Sequence, residues 1–154
     1  MNQNRNHLML TRSLLFAAMT SIACSSAFAK DWQVQMLSYG EKGPMVFEPD
    51  FIQAQVGDTV TFLPTQPGHH VASALTPDQQ KAWSSKLNET YTVELTEEGV
   101  NLYYCPPHLM MGMVGVIQVG ESVNKESLDQ FYPSFRNKIA LNPERVDAIL
   151  EQVK

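Results

Sequence analysis

Val100-Asn101-Leu102-Tyr103-Tyr104-Cys105 runs into Pro106-Pro107-His108-Leu109-Met110-Met111-Gly112-Met113, and Val114-Gly115-Val116-Ile117-Gln118-Val119 runs out of it. The two flanks are short and rich in Val, Ile and Tyr, as strands are. The loop between them offers a thiolate, an imidazole and several thioethers, and no carboxylate. Soft sulfur with imidazole suits copper, or less selectively zinc. Two residues separate Cys105 from His108, and four separate His108 from Met113. A tight loop of that spacing can fold three donors onto one ion. Cys-x-x-His alone is a weak signal. The added Met strengthens it, because a weak axial Met beside two His and one Cys is the ligand set of a known trigonal copper site. The loop holds one His, so the second must come from elsewhere, and Gly68-His69-His70-Val71 can supply it. Spacing alone leaves His69 or His70, and Met111 or Met113, open.

The chain has 154 residues, enough for one domain and hardly two. Arg5 and Arg12 open it, Leu14 to Ala23 is mostly apolar, and Ala27-Phe28-Ala29 fits a small-x-small cleavage site. This predicts a secretory leader over residues 1–29, cleaved after Ala29, and an exported protein. The apolar run is too short to span a bilayer, and no later run is long enough. Cys24 could mark a lipoprotein, but Ser21-Ile22-Ala23 before it matches that pattern poorly.

Removing Arg5 and Arg12 with the leader takes the formal charge from −5 to −7. Such an acidic chain argues against nucleic acid as a partner. Removing Cys24 leaves Cys105 as the one thiol, so no internal disulfide can form. A free thiol in an oxidising compartment needs burial or a metal. A buried structural Cys is the plainer alternative, but it does not account for His108 and Met113 at their offsets.

Working outward, Trp32 to Leu37 alternates as a half-buried strand. Ser38 to Pro44 reads as a turn-rich loop, and Met45-Val46-Phe47 resumes a strand that Glu48-Pro49-Asp50 breaks. Phe51–Val56, Thr59–Leu63, Val71–Leu75 and Thr90–Leu95 complete a series of short strands joined by turns, the pattern of a β-sandwich. Thr76-Pro77-Asp78 predicts a two-turn helix with Thr76 as N-cap. After Gly120, Asn124–Tyr132 predicts a helix that Pro133 ends or kinks. Asn142-Pro143 starts another, with Val146, Ile149, Leu150 and Val153 along one face.

Met45-Val46-Phe47-Glu48-Pro49, Gly57-Asp58-Thr59-Val60-Thr61-Phe62, Gly68-His69, Ser85-Lys86-Leu87-Asn88-Glu89 and Met111-Gly112-Met113-Val114 resemble the pseudoazurins, small periplasmic blue copper proteins of the cupredoxin fold. The likeness covers nearly all of Lys30 to Lys154. It implies a mainly β, cupredoxin-like Greek-key β-sandwich with two C-terminal α-helices. The chain then divides into the leader 1–29, a copper-binding domain 30–120 and a helical extension 121–154 packed on the sandwich.

The resemblance also implies one type 1 copper per chain, with His69, Cys105 and His108 equatorial and Met113 axial. It selects His69 because the family motif reads Gly-His-Asn-Val, and Met113 over Met110 and Met111 by family spacing. The implied activity is outer-sphere electron transfer by a periplasmic monomer to a redox enzyme, copper nitrite reductase being a typical acceptor in the family. No catalytic residue is implied.

Three further positions stand beside the ligands by this resemblance. His70 replaces an Asn that ties the two ligand loops together, and its backbone N–H can still donate to the Cys105 sulfur. Pro106 replaces a Thr, and Pro107 has no N–H to offer that sulfur. Met45 matches a Met close to the exposed His ligand, although a core Met on an apolar strand explains it equally well. Tyr39, Pro67, Ser84 and Tyr104 stand where relatives often carry Lys. Two other functions compete with the carrier. A copper store would draw on Met110, Met111 and Met113. A thiol enzyme would use Cys105 as nucleophile with a His as base.

Overall fold

The computed structural model describes residues 29–154. The expected leader, apart from Ala29, and Cys24 within it lie outside the described residues. Eight strands come in order: β1 (Asp31–Gly40), β2 (Gly43–Glu48), β3 (Phe51–Ala54), β4 (Thr59–Leu63), β5 (Ala72–Leu75), β6 (Tyr91–Glu94), β7 (Gly99–Tyr104) and β8 (Val114–Val119). A 3-10 helix, Pro106–Met111, joins β7 to β8, and α1 (Lys125–Arg136) and α2 (Pro143–Leu150) close the chain. The strands form two four-stranded sheets in the orders β2-β1-β4-β6 and β3-β8-β7-β5. β1 pairs with β4, and β3 with β8, in parallel; the remaining pairs are antiparallel.

Period-two patterning puts one face of each sheet into a shared core. Val34 and Met36 of β1, and Val60 and Phe62 of β4, point inward, while Gln33 and Gln35 remain exposed. Phe47, Phe62 and Tyr103 meet edge to face near its centre, with ring centroids 4.9–6.2 Å apart. β7 and β8 are buried on both faces, which is why they read as nearly continuous apolar runs. Val100, Leu102, Val114 and Val116 face away from the sandwich and pack under Leu128, Phe135, Val146 and Ile149. Each such burial stabilises by about 1.5–3 kcal/mol. The expected sandwich and its two C-terminal helices are therefore present.

Four local expectations need correction. Ser38–Gly40 is not loop: β1 runs on to Gly40 and pairs with Gly43, leaving only Glu41-Lys42 as the hairpin turn. Thr76 caps no helix. Its hydroxyl donates to the Gln80 carbonyl (2.8 Å), and Gln80 N–H donates to the Pro77 carbonyl (3.1 Å), closing a single turn. The Gln80 side chain is held by Thr96 and by the Glu94 carbonyl, so tertiary bonds take the place of further helix. Pro133 does not end α1, which continues to Arg136 and buries Phe135 against Tyr104. Asn142 stands at the start of α2 as expected, but in a left-handed conformation (φ 56°), and its side chain donates to the Met111 carbonyl (3.3 Å) instead of capping.

Candidate metal centre

Cys105 lies just past β7 and Met113 just before β8, and Cys105 N–H donates to the Met113 carbonyl (3.0 Å). Pro106 and Pro107 open the 3-10 helix, where a missing N–H costs nothing. Gly112 closes it in the left-handed conformation (φ 75°). Within the loop, His108 N–H donates to the Cys105 carbonyl (2.9 Å) and Met113 N–H to the His108 carbonyl (3.3 Å). The loop is thus folded back on itself before any ion is considered.

The second histidine comes from the β4–β5 connection. His69 is fully buried, as are Cys105 and Met113, whereas His108 is partly exposed. The Cys105 Sγ stands 3.9 Å from His69 Nδ1 and 3.4 Å from His108 Nδ1, and the two ring centroids are 4.9 Å apart. The three donor atoms lie within 4.8 Å of one another. His69 Nε2 pairs with the Ser38 hydroxyl (3.0 Å), which orients Nδ1 toward the sulfur. Asn88 braces the same segment, accepting from Gly68 N–H (2.6 Å) and donating its own N–H to the His69 carbonyl (2.8 Å).

His70 turns the other way, with Nδ1 3.3 Å from the Ser85 carbonyl. Its backbone N–H and that of His108 lie where they favour a thiolate at Cys105. Pro107 is exposed, Met45 is half-buried against the sandwich core, and Met110 is largely exposed.

Burial shapes the electrostatics. It pushes the His69 imidazole below its ordinary pKa, and the nearby His108 adds to this. Burial lowers His108 in the same way. Both rings are therefore neutral near pH 7, the form that ligates. Burial pushes the Cys105 thiol up, opposed by the N–H groups of His70 and His108. With burial the larger cause, the free thiol is favoured, so metal binding would release a proton from Cys105. A buried thiolate, two inward Nδ1 atoms and a buried thioether residue form a soft donor set that fits copper.

The sequence pattern of the family described as "Copper binding proteins, plastocyanin/azurin family" matches residues 34–120. Pseudoazurin of Paracoccus pantotrophus is 41% identical over 148 residues, covering 94% of this chain and 99% of that protein. A putative pseudoazurin of Rhizobium leguminosarum bv. viciae is 42% identical over 147 residues, covering 91% of each. The crystal structure of pseudoazurin from Methylobacterium extorquens AM1 superposes with a TM-score of 0.69 at 31% identity, covering 80% of this chain and 99% of that one. The chain belongs to the pseudoazurin family. Pseudoazurins are copper-binding electron-transfer proteins rather than enzymes, and the donor set here fits that cofactor.

Several residues around this pseudoazurin centre carry no sequence signal. Ser38 sits in a stretch whose sequence reads as loop, yet it fixes the ring of His69. Asn88 falls in the Ser85–Glu89 stretch that carries the family likeness, but its place in sequence assigns it no part in the site. Arg145, 32 residues beyond Met113, reaches the loop from α2. Each acts through a contact distant in sequence, which only the β-register and helix packing create. Among the described residues, no helix is long and apolar enough to cross a membrane.

Proposed function

We propose that this pseudoazurin is a monomeric periplasmic electron carrier whose one copper is held by His69, Cys105, His108 and Met113, and that it passes electrons to a copper nitrite reductase. The chain divides accordingly into a leader of residues 1–29 lost on export, a copper-binding domain of 30–120 and a helical extension of 121–154. The observation that carries this reading is the convergence of two Nδ1 atoms on one buried sulfur, with a single imidazole left open to solvent. His69, Cys105, His108 and Met113 would hold copper in a soft donor set that would let it cycle between Cu(II) and Cu(I).

The protein's own part is to hold still. Ser38 and Asn88 fix the His69 side, and the folded loop fixes Cys105, His108 and Met113. Burial excludes water from the sulfur. His108 offers the shortest path from the centre to a docked partner, with Met110 and Leu109 beside it in the same loop. Met45, His70 and Pro107 stand around the ligands without being ligands in this reading.

Copper titration of the metal-free protein tests it. One equivalent should produce an intense thiolate-to-copper band that vanishes on reduction and returns on oxidation. Binding of several equivalents without that band would favour a copper store. Stopped-flow mixing of the reduced protein with a copper nitrite reductase tests the partner. N-terminal sequencing of the exported protein should begin at Lys30, and sedimentation should give a monomer.

A further inference from the structure

The approach to α2 holds the metal loop by its backbone. Ala140 and Leu141 N–H both donate to the Met110 carbonyl (2.9 Å each). Asn142 Nδ2 and Arg145 Nη2 donate to the Met111 carbonyl (3.3 and 3.0 Å), and Arg145 Nη2 also reaches the Gly112 carbonyl (2.9 Å). The same guanidinium donates to the carbonyls of Pro44 (3.1 Å) and Met45 (3.0 Å), with a longer contact to Lys42 (3.4 Å). Five carbonyls from two distant segments thus meet one side chain. Met45 is itself a non-glycine residue at positive φ (50°), a conformation that persists only where its surroundings hold it. At Gly112 a Cβ would stand 3.0 Å from the Leu141 carbonyl, so the two backbones are in contact.

Arg145 is half-buried, and among the described residues no carboxylate is within ion-pair distance of it. Partly burying a charge without a counter-ion is a poor way to gain stability. A rigid planar fork with five donors is a good way to fix several acceptors relative to one another. The carbonyls gripped are those of Met110, Met111 and Gly112, the three residues directly before Met113. Met113 follows Gly112 directly.

We propose that Arg145 is a positioning residue for the copper centre: by gripping the Met111 and Gly112 carbonyls, it fixes where Met113 presents its sulfur. The role assigned to Met113 rests on the ligand set proposed above. An axial thioether bond is long and weak, so the protein sets its length, and that length tunes the potential.

Two measurements on Arg145→Met test this, with Asp147→Asn as the control. Asp147 binds Arg136 and Tyr132 on the far side of α2 and does not touch the loop. In the metal-free protein, amide hydrogen exchange at Gly112, Met113 and Val114 should accelerate by about tenfold or more in Arg145→Met, as local opening becomes easier. It should stay unchanged in Asp147→Asn. In the copper-loaded protein, Arg145→Met should alter the relative intensities of the thiolate-to-copper bands. It should also shift the Cu(II)/Cu(I) equilibrium by up to about tenfold, which is about 59 mV for one electron.

Unchanged exchange in Arg145→Met, or equal acceleration in Asp147→Asn, overturns the proposal. So does accelerated exchange with an unaltered spectrum and potential. Should Arg145→Met not fold, Asn142→Gly carries the test. Glycine accepts the left-handed φ there, and only the bond to Met111 is lost. That variant should show a smaller acceleration at the same amides, and none would overturn the proposal. A parent protein lacking the thiolate-to-copper band would sink the ligand assignment, while the metal-free exchange result would still decide whether Arg145 holds the loop.

Discussion

His69 and His108 face the same sulfur across 3.9 and 3.4 Å, yet the chain holds them in opposite ways. His69 is sealed: it has no exposed surface, its Nε2 is tied to Ser38, and Asn88 brackets its backbone on both sides. His108 is partly open and is held through the backbone of its 3-10 helix, with its ring free of any side-chain hydrogen bond other than the Cys105 contact among the described residues. One imidazole is therefore built for permanence and the other for access. A centre that must be rigid and must also touch a partner needs both.

The sulfur common to both histidines is where the comparison breaks most completely. Cys105→Ser should abolish the thiolate-to-copper band, because a buried hydroxyl is neither soft nor readily ionised. Its near-equal size should leave the fold intact. An absorption spectrum of the copper-loaded variant decides it, and a surviving intense band would remove Cys105 from the ligand set.

The sealed side comes next. His69→Ala should lower copper affinity by more than about 100-fold, beyond what loss of an outer partner costs. His70→Ala should keep one copper per chain, since its ring turns to Ser85. Metal analysis of the two proteins after identical dialysis compares them. Equal loss from both, or loss from the His70 variant alone, would refute the assignment.

How much of this the sequence disclosed depends on the reach of each contact. Thr59–Leu63 and Val114–Val119 were legible to the residue, because alternation and β-branched content are local properties. Cys105, His108 and Met113 declared themselves by spacing within one loop. The choice between His69 and His70 did not follow from spacing. It came from resemblance, and the structure turns His69 inward and His70 aside.

The helix expected after Thr76 failed because Gln80 is bound by Thr96 and Glu94, sixteen and fourteen residues away. Pro133 failed as a stop because Phe135 gains more from burial under Tyr104 than α1 loses at one hydrogen bond. Ser38 and Arg145 were invisible because their partners lie 31 and up to 103 residues away.

Ser38 offers a gentler way to sharpen the comparison. Ser38→Ala frees His69 Nε2 while leaving the His108 side untouched. Outer partners of a ligating imidazole contribute about 10–100-fold in metal affinity. Ser38→Ala should therefore weaken copper binding within that range and keep the band intact. Competition against a chelator of known affinity measures it. An unchanged affinity would mean that burial alone orients His69.

The open side predicts the smallest effect, in how the protein meets its partner. Asp31 opens β1, Glu97-Glu98 precede β7 and Glu121 follows β8, at strand ends away from His108, whereas Glu41 and Glu89 lie at the His69 end. Around the loop, Tyr39 is 73% and Met110 65% exposed, and Lys86 is already paired with Glu89 at 3.7 Å. The face that presents His108 thus carries apolar contacts, with Lys138 beside Leu109 as an exposed lysine outside the ion pairs seen among the described residues. Steering needs complementary charge at close range, since salt at about 0.15 M screens exposed charges beyond about 8 Å. Small transient complexes can instead dock on apolar surface. Electron transfer to the natural acceptor should therefore change by less than about threefold between low and physiological salt, against the 10-fold or greater changes that steering produces. Stopped-flow rates across that range measure it. A fall of about tenfold or more would show that the remaining lysines still guide the encounter, and that His108 is approached through charge as well as through contact.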